Sequence, residues 1–155
     1  MAQRPTSRMT TRSSARVAYV ALAAGTIALG LWVHRGGAAL GTDARDVLGD
    51  ALWAGMMAWL VGAAAPRARL GVRSAAALGI CVAVELSQLL HTSAIDAVRR
   101  TTLGHLLLGS GFDARDLLAY AVGVSAAALL ERAARAIAGR PRASALRHCD
   151  SDRSR

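Results

Sequence analysis

Lysine is absent from this chain of 155 residues, and all 19 of its basic residues are arginine. Together with the abundance of alanine, this usage indicates a GC-rich genome rather than a chemical requirement. Only two cysteines are present, which excludes a scaffold held together by disulfides. Aromatic residues make up only 4% of the chain, so the net charge of +9 lacks the stacking platforms of a nucleic-acid-binding surface. We therefore expect no nucleic-acid partner.

Long uncharged apolar blocks dominate what is present. Hydrophobic residues make up 54% of the chain and the mean hydropathy is +0.33, which excludes a disordered chain and indicates an integral membrane protein. Charged residues separate blocks at residues 17–34, 51–66, 74–90 and 117–130. A bilayer core of about 30 Å requires roughly 17 to 20 helical residues. The first block is long enough, and the third is long enough if Glu85 lies within the membrane.

The second and fourth blocks need to be extended before they can span. Val47 and Leu48 bring the second to spanning length, whereas the fourth must borrow residues from Phe112–Arg115 or continue to Ile137. With these extensions the sequence predicts an all-α fold, an integral membrane bundle of four transmembrane helices.

The chain divides into a membrane domain and two polar tails. Residues 17–137 form the predicted four-helix domain, whereas residues 1–16 and 138–155 are basic, lack apolar periodicity and are expected to be disordered. Residues 98–108 are apolar but too few to span, so we predict a short interfacial or re-entrant segment before the last helix. Cleavage of the first block as a signal peptide would leave three spans without moving the site residues named below.

The distribution of arginine predicts the orientation of the bundle. Most arginines lie in the two tails and in the loop between the second and third spans, whereas the other two loops hold few arginines and most of the aspartates. Because basic loops remain on the cytoplasmic side, both termini are predicted to be cytoplasmic. The basic tails are expected to contact anionic headgroups, which makes membrane lipid a predicted partner.

Polar residues from three of the predicted spans fall at a similar depth. Glu85 lies about 9 Å inside the outer end of the third span, and Gln88 follows one turn later on nearly the same helix face. The second and fourth spans place acidic and phenolic groups near their outer starts. The predicted outer cluster consists of Asp50, Glu85, Gln88, Asp113, Asp116 and Tyr120.

The charge of Glu85 requires compensation at that depth. A charged side chain inside the membrane costs about 3 kcal/mol or more unless it is paired, hydrated or neutralised. Arg99, Arg100 and Arg115 are possible charge partners. Two interpretations of the outer cluster remain open. It is either a polar binding pocket open to the outside or a buried, hydrogen-bonded clasp that holds the helices together.

The remaining reactive side chains indicate no cofactor. His34, His91 and His105 fall on the predicted outer side, but their spacing matches no metal motif. Cys81 lies in the third span and Cys149 in the C-terminal tail, so each is expected to be a free thiol. No phosphate-binding glycine loop is present, and no serine and base follow a hydrolase pattern. We expect neither a metal nor another cofactor.

Three short motifs resemble a known family. They are Gly-Asp at the second span, Glu-x-x-Gln in the third, and Leu-Gly followed by Phe-Asp-x-x-Asp-Leu, Tyr and Gly at the fourth. In this chain they fall on Gly49, Asp50, Glu85, Gln88, Leu108, Gly109, Phe112, Asp113, Asp116, Leu117, Tyr120 and Gly123. This pattern resembles the bacterial membrane family called domain of unknown function 2809, which implies a small four-span protein of a bacterial inner membrane, without assigned activity.

Two positions depart from the related patterns. Ala114 stands where that family often has tryptophan after Phe-Asp. The pattern is also distantly similar to the VanZ-like family, in which asparagine is common at the position of Tyr120. The VanZ-like resemblance implies a role at the outer face of the cell envelope.

These features support several functional hypotheses. The first is a non-enzymatic envelope protein whose outer pocket binds a headgroup, a wall precursor or a small amphiphile. The alternative is a small proton- or cation-coupled transporter that uses Glu85, with short spans that suit a homo-oligomer. An enzyme would need Asp116 or Glu85 as base and Arg99 or Arg100 to hold phosphate, but a clear nucleophile is missing. In a structural subunit the cluster would be only a clasp.

Overall fold

The computed structural model describes residues 7–36, 41–89, 92–101, 104 and 112–139. Within these residues every regular element is an α-helix, which confirms the all-α prediction. We number the helices α1 (Ser7–Gly36), α2 (Thr42–Ala64), α3 (Leu70–Ser87), α4 (Ser93–Arg99) and α5 (Ala114–Ala138).

Four of these helices are long and apolar enough to cross a membrane. They are Ser13–Arg35 within α1, and the whole of α2, α3 and α5. The prediction of four membrane-spanning helices is therefore confirmed, and the chain has the features of a small multi-pass membrane protein. Both extensions of the fourth block occur, because α5 begins before residue 117 and ends after residue 130. Arg73 lies inside α3, although the sequence had placed it in the preceding loop.

The helical boundaries depart from the expected tails. Residues 7–16, which we expected to be disordered, belong to α1. They contain neither glycine nor proline, so the helix that starts in the apolar block can extend through them at little cost. Residues 1–6 and 140–155 lie outside the described part of the chain. Most of the predicted segment at 98–108 also lies outside it, but the preceding α4 is a short helix capped by the hydroxyl of Thr92, which accepts a hydrogen bond from the Ile95 amide at 3.3 Å.

Helix α2 occupies the centre of the bundle. It contacts α1, α3 and α5, and α3 also contacts α5. Two apolar clusters fill these interfaces. One consists of Ala54, Ala77, Cys81, Tyr120 and Val124, and the other of Tyr19, Ala23, Trp59 and Ala127. Most of these side chains are small, which lets the helices approach closely, as is typical of membrane bundles.

The closest approach is between α2 and α5. A β-carbon added at Gly123 would lie 2.0 Å from the carbonyl oxygen of Ala51, so no other residue fits there without moving a backbone. Gly62 faces the ring of Tyr19, where an added β-carbon would lie 2.9 Å from two ring atoms. These two glycines therefore set the distances of α5 and α1 from the central helix.

The outer surface of the bundle is apolar. Leu118 is 72% exposed, Trp32 is 70% exposed and Leu129 is 65% exposed. Further large apolar side chains are exposed on each of the four long helices. A soluble monomer rarely exposes apolar surface of this extent, whereas a bundle surrounded by lipid is expected to do so.

Candidate functional site

Two polar clusters lie at opposite ends of the interface between α3 and α5. At one end, α2 and α5 begin and α3 ends. The carboxyl groups gathered there, which we call the carboxylate cluster, belong to Asp46, Asp50, Glu85, Asp113 and Asp116. At the other end, the Arg73 cluster consists of Tyr19, Arg73, Glu131 and Arg135.

Glu85 is the buried centre of the carboxylate cluster. Its side chain is fully buried and accepts three hydrogen bonds. Oε1 accepts from the Asp113 amide at 2.8 Å, and Oε2 accepts from the Tyr120 hydroxyl at 2.8 Å and from Gln88 Nε2 at 3.1 Å. Because Tyr120 and Asp113 belong to the start of α5, Glu85 ties the end of α3 to that helix.

The start of α5 is built to present its amide to Glu85. Asp113 is the N-cap residue in an extended conformation, and its Oδ1 accepts a hydrogen bond from the Arg115 amide at 2.9 Å. This cap leaves the Asp113 amide directed at Glu85. The positive end of the α5 dipole therefore lies against the Glu85 carboxylate and compensates part of its charge.

Tyr120 connects Glu85 to the central helix. Its ring lies 5.5 Å from that of Trp53, measured between ring centroids, at an angle of 48°. Tilted aromatic pairs at this distance are favourable beyond the area they bury. The Trp53 indole nitrogen is buried and has no hydrogen-bond partner in the part of the chain that the structure describes.

Replacing Tyr120 by phenylalanine is expected to destabilise the bundle by about 1.5 to 3 kcal/mol, because it removes a hydrogen bond to a buried carboxylate but keeps the ring. The free energy of unfolding, measured by circular dichroism in mixed micelles with increasing SDS, checks this. Leu118→Ala, at a lipid-facing position that is 72% exposed, is the control and should change stability by no more than about 0.5 kcal/mol. Equal effects of the two substitutions would contradict the assigned role of Tyr120.

Asp50 and Asp116 form a second contact between α2 and α5. Their carboxyl groups lie within reach of each other and close to those of Glu85 and Asp46. Asp46 lies one turn before Asp50 on α2 and adds a further carboxyl group at the same end.

The structure thus brings together all six residues of the predicted outer cluster, but with partners that differ from the arginines we considered. The described partners of Glu85 are neutral donors. Arg100 and Arg115 are exposed to solvent, and the side chain of Arg99 lies outside the described part. Gln88 is only 5% exposed, and its Oε1 has no hydrogen-bond partner among the described residues.

The Arg73 cluster was not predicted from the sequence. Arg73 is 3% exposed and forms an ion pair with Glu131, whose side chain is 10% exposed. Arg73 Nη1 donates to the Tyr19 hydroxyl at 2.7 Å, and that hydroxyl donates to Glu131 Oε1 at 2.8 Å. The Arg73 guanidinium also lies over the Tyr19 ring, 5.2 Å from its centroid. Three helices, α1, α3 and α5, therefore meet in one buried network.

One sequence signal could have revealed this network. Arg73 and Glu131 are charges of opposite sign that stand at the same predicted membrane level, next to apolar blocks. In a local hydropathy pattern both charges mark boundaries of those blocks, so their pairing across the bundle is not apparent. A cavity of about 10 Å³ lies beside the pair, which is about the space that one water molecule needs.

The residues considered for metal binding or thiol chemistry do not form a site within the described residues. In that part of the chain, no three His, Cys, Asp or Glu side chains are arranged to hold a metal ion. Cys81 is a buried free thiol in the apolar core. His34 is exposed. The other predicted positions, His91, His105 and Cys149, lie outside the described part.

A family model matches residues 42–124 of the chain, and the family is described as protein of unknown function (DUF2809). The match confirms the resemblance to domain of unknown function 2809, whereas the more distant VanZ-like similarity stays a prediction. The matched range contains the whole carboxylate cluster, but of the Arg73 cluster it contains only Arg73. No solved structure matches the chain.

Proposed function

From the premise that the chain belongs to the DUF2809 family of proteins of unknown function, we propose that it is a non-enzymatic membrane protein that binds an amphiphile at the carboxylate cluster. The ligand is a lipid headgroup, a wall precursor or another small amphiphile that carries a protonated amine. The accessible part of this site consists of Asp50, Asp113 and Asp116. Its buried part consists of Glu85, Gln88 and Tyr120.

The observation that carries this proposal is a group of five carboxyl groups whose described contacts include no ion pair with an arginine. Asp46 and Asp113 are exposed, and Asp50 and Asp116 are partly exposed, so a ligand can reach them. Below them, Gln88 Oε1 is a buried acceptor without a described partner. An ammonium group supplies both a positive charge and N–H donors, which is what such a site requires.

The distribution of arginine supports the orientation of this site. The Arg73 end lies nearest the basic tail and the basic loop between α2 and α3, and the positive-inside rule assigns that end to the cytoplasm. We propose that the carboxylate cluster faces the outside of a bacterial inner membrane. It would then meet headgroups of the outer leaflet and precursors of the cell wall.

Dihexanoylphosphatidylethanolamine, a soluble lipid with a primary ammonium, is expected to bind the purified protein saturably in isothermal titration calorimetry. Dihexanoylphosphatidylcholine carries a positive nitrogen without N–H donors and should bind more weakly. Replacing both Asp50 and Asp116 by asparagine removes a charge-assisted contact, so the affinity for phosphatidylethanolamine should fall by at least about tenfold.

Asp43→Asn is the matched control, because Asp43 is an exposed carboxylate of α2 that does not belong to the carboxylate cluster. This variant should bind like the unaltered protein. Equal affinity for the two lipids, or unchanged binding by the Asp50 and Asp116 double variant, would overturn the proposal.

The second candidate is a proton- or cation-coupled transporter, with Glu85 as the exchanging group. The full burial of Glu85 within a candidate span favours this candidate, because an acidic side chain at that depth could exchange a proton for a cation. The pH of a weakly buffered solution, measured while dihexanoylphosphatidylethanolamine binds, distinguishes a transporter from a binding protein. Release of a proton on binding supports exchange, whereas binding without release supports a binding protein.

A further inference from the structure

A separate cavity lies at the Arg73 end of the bundle, at the boundary of the candidate spans. Its volume is about 270 Å³, and it is lined by Arg16, Ala64, Ala65, Pro66, Arg67 and Ala68. Arg16 lies near the start of the first candidate span, and Ala64 ends the second. The cavity is therefore placed where lipid headgroups meet the hydrocarbon region of a membrane.

The two arginines of this cavity are available for a ligand. Both are exposed, and neither forms an ion pair or a side-chain hydrogen bond in the part of the chain that the structure describes. They approach from different directions, because Arg16 belongs to α1 and Arg67 to the turn between α2 and α3. The guanidinium group binds phosphate oxygens through two parallel N–H donors, so this pair can hold a phosphate from two sides.

The turn that carries Arg67 is held in place before any ligand binds. The Ala65 amide donates to the Val61 carbonyl at 2.9 Å, and the Ala68 amide donates to the Ala65 carbonyl at 3.1 Å. Pro66 fixes the backbone between them. The alanine methyl groups supply an apolar wall beside the guanidinium groups. A rigid wall lowers the ordering cost of binding.

We propose that this cavity binds the phosphate of an anionic glycerophospholipid through Arg16 and Arg67. Such a lipid fits the two arginines, the apolar wall and the position of the cavity at the end of the candidate spans. Its phosphate would contact the arginines, its glycerol backbone would lie next to the phosphate, and its acyl chains would lie along α1. Basic pockets between membrane helices are known to take anionic headgroups. The proposal does not depend on the function assigned to the carboxylate cluster, which lies at the other end of the bundle.

Native mass spectrometry of the full chain in detergent, titrated with dioleoylphosphatidylglycerol, tests the proposal. We expect saturable binding of phosphatidylglycerol that is at least about tenfold tighter than that of dioleoylphosphatidylcholine. Arg16→Gln and Arg67→Gln should each weaken phosphatidylglycerol binding by about fivefold. Arg69→Gln is the matched control, because Arg69 is an exposed arginine of the same connection that does not line the cavity, and it should bind normally.

Two further variants keep the test decisive if a glutamine variant fails to fold. Arg16→Lys and Arg67→Lys keep the charge but lose the two-pronged donor, so they should fold and bind phosphatidylglycerol less tightly than the unaltered protein. Equal losses in Arg69→Gln and Arg67→Gln would overturn the proposal in favour of a diffuse basic surface. Displacement of phosphatidylglycerol by millimolar inorganic phosphate would also overturn it, because the ligand would then be free phosphate rather than a lipid.

Discussion

Replacing Glu131 by glutamine is expected to destabilise the bundle by about 3 to 5 kcal/mol, which is the usual cost of removing one partner of a buried ion pair. The substitution leaves the Arg73 guanidinium, which is 3% exposed, without its carboxylate in the interior. The amide oxygen of glutamine can still accept the hydrogen bond from the Tyr19 hydroxyl, so the substitution removes chiefly the negative charge. The free energy of unfolding, obtained by titration with SDS in mixed micelles, measures this loss.

The double variant Arg73→Leu with Glu131→Leu distinguishes the cost of an unpaired buried charge from the cost of lost packing and hydrogen bonds. Removing both charges leaves no uncompensated buried charge, and apolar replacements of buried pairs are often nearly neutral. The double variant should therefore be more stable than Glu131→Gln alone. Arg132→Gln, the exposed neighbour on α5, serves as control and should change stability by no more than about 0.5 kcal/mol.

A double variant as unstable as Glu131→Gln would contradict this explanation. The residues would then matter for their shape and hydrogen bonds, and the charge pair would contribute little. The free energy of unfolding can also be compared for a variant of Arg135, which is 56% exposed and pairs with Glu131 on the solvent side. Because its charge is hydrated, Arg135→Gln should cost much less than loss of the buried partner.

The four spans could be predicted from the sequence because charged residues bound long apolar runs, and the bilayer sets the length that such runs need. The exact ends could not be predicted in this way. Helix α3 begins at Leu70 and α5 continues to Ala138, so each helix includes a charge that a hydropathy argument treats as a boundary. Arg73 and Glu131 enter the bundle because each neutralises the other, and pairing between distant segments is invisible in a local pattern.

The members of the carboxylate cluster could be predicted from the sequence, but the hydrogen-bond partners of Glu85 could not. Spacing along single helices put Glu85 and Gln88 on one face, and topology put Asp116 and Tyr120 at the same depth. The identity of the Glu85 partners was not accessible, because one of them is the backbone amide of Asp113. Its direction follows from the cap at the start of α5, a feature of backbone geometry rather than of residue type.

The arginines near the carboxylate cluster show that a count of charged residues does not predict the partners of a buried carboxylate. Counting charges gave Arg99, Arg100 and Arg115 as possible charge partners of Glu85. Neutral donors and the positive end of α5 are the partners that the structure describes instead. Helix dipoles and amide donors carry no formal charge, so an inventory of ionisable residues overlooks them. The acidic side chains above Glu85 have no arginine partner among the described ion pairs, so they are the groups that a cationic ligand would contact under the proposed function.

Replacing Gly123 by alanine adds only one methyl group, but we expect it to lower the free energy of unfolding of the bundle strongly. The added β-carbon would lie 2.0 Å from the Ala51 carbonyl oxygen and 3.0 Å from the Ala51 α-carbon, so α2 and α5 must move apart. Because backbone cannot rotate away as a side chain does, we expect a loss of about 3 kcal/mol in the free energy of unfolding.

Gly79→Ala provides the matched control for that experiment. Gly79 is also a glycine within a membrane-spanning helix, but nothing lies within 4 Å of its added β-carbon. Alanine should be neutral there or stabilise the helix by about 0.5 to 1 kcal/mol, because glycine has the greater backbone entropy to lose. The separation of α2 and α5 would also pull Asp116 from Asp50, so the Gly123→Ala variant should bind dihexanoylphosphatidylethanolamine more weakly, whereas Gly79→Ala should not. Equal stability of the two variants would mean that α2 and α5 are not in close backbone contact, and the site built across them would lose its geometric basis.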